Sequence, residues 1–351
     1  MKPILGFILA AIGTGFAIVF LRRLSPALGL VDQPGGRKAH DLPVPLVGGL
    51  GIFVAFVGTA IALGMGIKAG YFCVALAVII VVGLIDDMNE LSPIPKFAAQ
   101  IAACLIMIFG AGVQLKTVGN LIGVGHIGLS FLWIPASVFA VVGVINAINM
   151  IDGLDGLAGS VTLIAVVAYA AVAAVSGLEA QFHILVIFAG TFLAFLYFNM
   201  RYSSQPHATV FLGDAGSMLS GFSLAWFAID LTQGPGRTFP PICALWVVVI
   251  PLCDTVSLLL RRVYAGKSPV LADREHLHHL LLAHGFTATQ TVWILIFASM
   301  TTALVGIGGW LLEIPQPLLF FAFVALFVGY HLVAKRQWER HYEATSSDRE
   351  I

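Results

Sequence analysis

The chain has 351 residues, 59% of them hydrophobic and only 10% charged, against roughly 45–50% and 25% in soluble domains; this composition excludes a soluble globular protein. Eighteen Lys plus Arg balance eighteen Asp plus Glu, so no global basic field is available to hold nucleic acid and no acidic excess marks a disordered solvating segment. Any function therefore rests on where the few charges sit.

A bilayer core of about 30 Å takes about 20 apolar helical residues per crossing. Eleven runs of that kind, bounded by polar or Gly/Pro-rich breaks, lie at 4–24, 46–65, 70–85, 97–114, 131–147, 157–176, 181–198, 217–231, 240–260, 291–312 and 317–334. The first is longer than a signal-peptide core, has no small-residue cleavage site and ends in Arg22 and Arg23, so it is expected to remain as a span. Helices are the expected form, because a segment in hydrocarbon must satisfy its own backbone and the runs lack the alternation of a barrel. The expected architecture is thus an all-α integral membrane protein of about eleven transmembrane helices, a single polytopic domain over 1–334 with a tail over 335–351. Cys73, Cys104, Cys243 and Cys253 all lie inside apolar runs and are read as small apolar fillers.

An odd number of spans puts the termini on opposite sides. With the loops after odd-numbered spans and the tail on one face, that face collects fourteen Lys and Arg and the other four. The excess predicts a cytoplasmic C-terminus and an outer N-terminus. Fifteen of the eighteen carboxylates share the basic face, although the orientation rule says little about Asp and Glu. The long connections, 25–45, 86–96, 199–214 and 261–285, all open there too. A rim dense in carboxylates, imidazoles and cations suits phosphates and a metal.

Four segments carry that density. In GLIDDMNE, Asp86 and Asp87 are adjacent like charges, unfavourable unless a cation or a shared proton relieves them; Mg²⁺ commonly takes one or two carboxylates plus substrate phosphates. Taken alone, the pair also fits a solvated helix end. In NAINMIDGLDGL, Asn146, Asn149 and Asp152 recur every three residues and predict a polar stripe leading down to Asp155, with Gly153 and Gly156 permitting a turn or a close approach. In VFLGDAGS, Asp214 is placed as an N-cap or first-turn residue of the next helix, where a helix N-terminus also attracts phosphate. In SPVLADREHLHHL, Arg274, His276, His278 and His279 suit the gripping of a pyrophosphate; a zinc site is the competing reading, since His276 and His279 stand three apart, but the neighbouring carboxylates favour a harder ion. Asp254, inside the ninth run, is either functional or paired with a nearby cation. Arg37, Lys38 and His40 suit a phosphate or anionic lipid heads.

In this order and on this scaffold, DDMNELSP, NAINMIDGLDGLAGS, VFLGDAGS and SPVLADREHLHHLL resemble the polyprenyl-phosphate N-acetylhexosamine-1-phosphate transferases, of the glycosyltransferase 4 type. The resemblance extends from about Val31 to Gln290, taking in RKAHDLPVPLVGG and GFTATQ. Within the family it points to the bacterial branch that uses UDP-GlcNAc and undecaprenyl phosphate and starts O-antigen, enterobacterial common antigen or teichoic acid synthesis. It implies transfer of GlcNAc-1-phosphate to the lipid phosphate with release of UMP, with Mg²⁺ or Mn²⁺, at the cytoplasmic face of the bacterial inner membrane. It implies Asp86, Asp87 and Asp155 as catalytic residues, and Asp214 with Asp87 as metal ligands. Asn149, Asp152, Arg274, His276, His278, His279, Lys96 and Phe211 would bind substrate. The peptidoglycan branch, which uses UDP-MurNAc-pentapeptide, carries a lysine three residues after the second Asp and an unbroken HHH; here Glu90 and His276-Leu277-His278-His279 stand in those places, supporting the GlcNAc branch without fixing the sugar.

A reading from another class, a transporter of an anionic solute, would place charge near the bilayer midplane at a repeat interface. Here the charge lies at one rim and no internal repeat is visible. The apolar helix faces suit lipid or a second copy of the chain, so a homodimer stays open.

Overall fold

The structure, a computed structural model, describes residues 2–34, 42–234, 236–266, 268 and 275–347, with side chains through 340. Arg37, Lys38, His40 and Arg274 lie outside the described residues. Each of the eleven apolar runs is helical. In chain order the helices are α1 (Lys2–Leu28), α2 (Gly48–Ala62), α3 (Ile67–Asn89), α4 (Pro93–Leu105), α5 (Trp133–Ile151), α6 (Leu157–Val175), α7 (Glu179–Asn199), α8 (Gly213–Thr232), α9 (Pro241–Val247), α10 (Val249–Tyr264), α11 (Leu277–Ala283), α12 (Ala288–Leu311) and α13 (Gln316–Ser347).

The protein is all-α and membrane-spanning. Among the described residues eight helices, counting α4 together with the π-helical turn Ile106–Gly110 that extends it, are long and apolar enough to cross a bilayer, and a ninth span arises if α9 and α10 are taken as one. The run at 240–260 was expected as a single helix, but α9 and α10 meet at 84°. Pro251 is the physical reason: it cannot donate to the Val247 carbonyl and its ring crowds that group, so the chain breaks at Val248 (φ −116°, ψ 21°). The remaining two runs fall short of a span by length or composition. Helix α2 has 15 residues, and α8 carries both Asp214 and Asp230.

The polarity of α8 follows from its place. It is buried almost throughout, enclosed by α2, α3, α5 and α6 rather than facing lipid. Its serines satisfy themselves, Ser220 donating to the Gly216 carbonyl and Ser223 to that of Leu219, both at 2.7 Å. Lipid tails are as apolar as leucine, so helices associate in a bilayer through close packing of small residues. That packing is concentrated on α8. A Cβ on Gly49 would lie 2.3 Å from Gly216 Cα, one on Gly83 2.3 Å from Ala215 Cα, and one on Gly221 2.5 Å from Ile145 Cα. Farther along, Phe56, Phe72, Phe188, Phe222, Trp226 and Phe227 pack ring against ring, fastening α2, α3, α7 and α8. At its C-terminal end Asp230 accepts from Lys68 at 2.5 Å and from Gln181 at 3.2 Å, so the helix is tied to α3 and α7 at that end as well.

Two local devices complete the frame. Strands β1 (Val31–Asp32) and β2 (Val44–Pro45) form an antiparallel pair, and the chain after β2 joins the segment preceding α8 through Phe211 N–H to the Pro45 carbonyl (2.9 Å) and Gly48 N–H to the Phe211 carbonyl (3.0 Å). The TATQ of GFTATQ is a capping box for α12: Thr287 N–H donates to Gln290 Oε1 at 2.9 Å, and Gln290 N–H to Thr287 Oγ1 at 3.2 Å. Helix α13 continues past residue 334, so the expected tail begins as an extension of the last helix.

Candidate active site

The acidic segments converge where α3 ends, α5 ends and α8 begins. Asp86 is buried at 3% exposure. Its Oδ2 accepts from Lys96 Nζ at 2.8 Å and its Oδ1 from Leu91 N–H at 2.7 Å. Glu90 adopts a left-handed conformation (φ 47°) and donates its N–H to the Asp86 carbonyl at 2.8 Å, which closes α3 and turns the chain so that Lys96 folds back over the carboxylate.

Asp87 does something else. Its Oδ1 accepts Asp214 N–H at 2.7 Å and its Oδ2 accepts Ala215 N–H at 3.2 Å. These are two of the N–H groups that the first turn of α8 leaves without a partner inside the helix. Asp87, expected as a metal ligand, is placed by the structure as the N-terminal cap of α8, supplied from another helix. Asp214 therefore occupies the first turn and leaves the capping to Asp87. Gly213 (φ +75°) makes room, since a Cβ there would meet Asp87 Oδ2 at 2.7 Å.

Asp214 turns its side chain to Asn149, whose Nδ2 donates to Asp214 Oδ1 and, at 2.8 Å, to Ser217 Oγ. Its other neighbour is Asp86, within hydrogen-bonding reach. Two carboxyls so close need a shared proton or a cation between them. Among the described residues no group of three or more His, Cys, Asp or Glu side chains gathers as a self-sufficient metal cage. The donor set instead fits a hard cation of the kind that takes one or two carboxylates and completes its shell with water and substrate phosphates.

The predicted stripe on α5 is partly realised. Asn146 donates to Gln100 Oε1 at 3.0 Å on α4, and Asn149 reaches Asp214. Asp152 ends the helix (φ −76°, ψ 57°), and burial, assisted by the charges of Asp214, Asp87 and Asp155, pushes its carboxyl up to about 8. Asp155 is engaged otherwise: its Oδ2 accepts from Arg201 Nε at 2.8 Å and from Ala208 N–H at 3.0 Å, fastening the connection between α7 and α8. Phe211 contributes the backbone bonds to Pro45 and Gly48 described above.

The histidines form a second wall. His276 lies just outside α11 as its N-terminal flank, so His276 and His279 do not share the helical face that their spacing suggested. His276 stacks on His278 instead, centroids 5.7 Å apart and planes 4° from parallel, and His278 lies 4.2 Å from His279. His278 is 2% exposed and its Nδ1 has no hydrogen-bond partner among the described residues. Burial and the neighbouring imidazoles hold this ring down at about 3, so it is neutral near pH 7, whereas the sequence suggested a cationic phosphate clamp. Its Nε2 edge packs on Gly153, where a Cβ would stand 2.4 Å away, joining the histidine segment to the DGLDG turn.

Sequence reasoning passed over three residues. Asn199, at the end of α7, accepts Gly156 N–H at 2.8 Å and donates to the Val210 carbonyl at 2.9 Å, bridging the DGLDG turn to the segment before Asp214. Gln100 supports Asn146, and both Asn199 and Gln100 carried a signal that was available, a buried amide inside an apolar run for Gln100 and at the end of one for Asn199. Glu275 holds Arg261 through Oε2 at 3.0 Å and through its carbonyl at 2.6 Å. Asn199→Ala strips two buried backbone groups of their partners and is expected to cost about 1–3 kcal/mol, read as a lowered Tm of the detergent-purified protein.

The model of glycosyl transferase family 4 matches residues 69–232, the stretch from α3 through α8 that holds all of the acidic cluster. Three relatives share the name undecaprenyl-phosphate alpha-N-acetylglucosaminyl 1-phosphate transferase. The one from Haemophilus influenzae is 32% identical over 328 residues, 93% of this chain and 92% of the relative. That from Pasteurella multocida is 32% identical, covering 95% and 94%, and that from Escherichia coli K12 is 30% identical, covering 93% and 89%. With similarity covering more than nine-tenths of the chain, it belongs to the family of these transferases, glycosyl transferase family 4.

Proposed function

We propose that the protein transfers GlcNAc-1-phosphate from UDP-GlcNAc to undecaprenyl phosphate. In the net reaction an oxygen of the lipid phosphate bonds to the phosphorus that bears GlcNAc. The bond from that phosphorus to UMP breaks, and UMP leaves with the electron pair. The observation that carries this reading is the meeting of Asp86 and Asp214 beside Lys96 at the first turn of a buried helix, at one end of an apolar bundle. The relatives, named for this transfer, support the same assignment.

Phosphoryl transfer asks a protein mainly for positioning and for neutralisation of charge. Asp214 and Asp86 would hold a Mg²⁺ or Mn²⁺ ion. When bound, that ion supplies positive charge to phosphate oxygens and polarises the phosphorus under attack. Asp87 fixes the first turn of α8 and with it Asp214, while Asn149 fixes the Asp214 side chain. Lys96 neutralises Asp86 and offers a cation to an incoming phosphate. Asp152, its carboxyl pushed up by burial and by the charges of Asp214, Asp87 and Asp155, stands beside them at the end of α5. The buried His276 and His278 bound the site on the side of α11. Asp155 acts through the connection it holds rather than on the reacting atoms.

The site faces the cytoplasm of a bacterial inner membrane in this reading, because the Lys and Arg excess lies on its face. Helices α2 and α8 cross as well, giving eleven crossings with the N-terminus outside. The lipid-linked sugar made here starts assembly of a cell-surface glycan.

The test incubates purified protein with labelled UDP-GlcNAc, undecaprenyl phosphate and Mg²⁺, with and without EDTA, following UMP and butanol-extractable label. Equal amounts of UMP and lipid-linked label, lost with EDTA and restored by excess Mg²⁺, are expected. Product formed equally well in EDTA would remove the metal from the proposal. Labelled lipid from UDP-MurNAc-pentapeptide but not from UDP-GlcNAc would move the chain to the other branch.

A further inference from the structure

Asp254 is the carboxylate that the reaction just described leaves without a task. It lies on α10 at 2% exposure, in apolar surroundings where an unpaired charge is expensive. Arg261, the nearest basic residue along α10, is held by Glu275. Three donors converge on it from two distant parts of the chain: His276 Nδ1 at 2.9 Å to Oδ2, Leu277 N–H at 2.9 Å to Oδ1, and Tyr330 Oη at 2.7 Å to Oδ1.

We infer that Asp254 is a positioning residue that sets the tautomer and the direction of the His276 ring, with Tyr330 holding Asp254 in turn. An ionised carboxylate only accepts hydrogen bonds, so the His276 nitrogen facing it must carry a proton. Nδ1 is thereby committed to Asp254, and Nε2, across the ring, is the atom that remains for a ligand. The second oxygen, pinned by Leu277 N–H and by Tyr330, prevents the carboxylate from rotating away. The ring plane set in this way is passed on to His278, stacked 4° from parallel, and through His278 to Gly153 of the DGLDG turn. Tyr330 lies on α13, so the last helix, remote in sequence from every acidic motif, helps to set the histidine wall. A carboxylate that orients an imidazole through Nδ1 is the same physical arrangement that keeps a catalytic histidine in its productive tautomer in hydrolases, where replacing the carboxylate by its amide costs about 10⁴-fold in turnover.

This inference rests on the proposed transfer for its consequence in turnover, but not for its geometry, and the two are separated by measuring both. Asp254→Asn keeps the shape and removes a buried charge, while its amide N–H drives the His276 proton to Nε2. In side-chain ¹⁵N spectra of histidine-labelled protein, with His276 assigned by the loss of its signals in His276→Gln, the wild type is expected to show protonated Nδ1. In Asp254→Asn the His276 signals are expected to move while those of the histidines outside this segment hold. In the transfer assay Asp254→Asn is expected to lower kcat at least about 10²-fold, and Tyr330→Phe about 5-fold, the loss of one hydrogen bond. In the His276→Gln background Asp254→Asn is expected to cost less than about 2-fold, because its effect passes through the ring. Unchanged His276 signals in Asp254→Asn, or an equal loss of turnover with and without His276, overturns the inference. If neither parent makes lipid product, the transfer reading falls, and the ¹⁵N spectra still decide this one.

Discussion

Asp214→Asn is expected to lower turnover by about 10³-fold while leaving the Tm of the purified protein unchanged or slightly raised. The two halves of this expectation have separate causes. Asp214 stands in the first turn of α8, its N–H held by Asp87 and its Oδ1 by Asn149. An amide of the same shape keeps the turn intact. It also removes one of two neighbouring carboxyls, relieving repulsion with Asp86. What it cannot do is neutralise a divalent cation together with Asp86. The measurement pairs the transfer assay over a range of Mg²⁺ with thermal unfolding of the same sample. A folded Asp214→Asn enzyme with a near-normal rate, at any Mg²⁺ concentration, would remove Asp214 from the metal site. The contrast with Asp87 sharpens the test. Asp87→Ala leaves two first-turn N–H groups of α8 uncapped and is expected to lower the Tm as well as the rate, because Asp87 acts through the backbone of α8.

Gly83→Ala is the second large expected effect, and it involves no charge. Its Cβ would stand 2.3 Å from Ala215 Cα and 2.7 Å from Ala215 N, both backbone atoms that no rotamer change can move. Either α3 or the start of α8 must shift, and Asp86, Asp87 and Asp214 shift with them. Overpacking of this kind costs about 1–3 kcal/mol, and displacement of a reacting group by about 1 Å costs about 10²-fold in rate. The expected result is a lowered Tm with kcat reduced about 10²-fold. Gly143→Ala, on α5, supplies the comparison: no atom lies within 4 Å of the added methyl, so rate and Tm should be unaffected or the Tm slightly raised, as glycine is a poor helix former. Equal behaviour of the two variants would show that the contact between α3 and α8 does not govern the site.

The same two residues, Asp87 and Gly83, mark where the sequence stops being informative. Their segment is recognisable in the sequence as an acidic helix end in a membrane protein, and the resemblance gives Asp87 rather than Asp86 to the metal. In the fold Asp86 faces Lys96 and Asp214, and Asp87 caps a helix 127 positions away. Adjacent residues on a helix point in directions about 100° apart, and only the neighbours decide what each meets. The histidine segment gives a similar lesson. Its density of imidazoles was plain, yet His276 falls outside α11, and the partner of its ring, Asp254, was separable from a simple ion pair with Arg261 only once α10 and α11 were placed. Asn199 and Gln100 went unnoticed because their importance lies in the distant backbone and side-chain groups they satisfy.

By itself the sequence determined that this is a helical membrane protein, where its apolar runs lie, and in which four segments its carboxylates, amides and imidazoles are concentrated. These follow from local causes: hydrocarbon excludes water, so each run must satisfy its own backbone, and charges tolerated near a membrane gather where they are solvated or used. Tertiary structure alone decided that α8, too polar for a lipid-facing span, is the buried centre of the bundle, that the run after Pro240 breaks at Val248, and that Asp86 rather than Asp87 faces Asp214. Those outcomes depend on which helices pack together, and in a bilayer that choice is made by steric fit between small residues such as Gly49, Gly83 and Gly216. Steric fit is a property of pairs of surfaces, and no single stretch of sequence contains it.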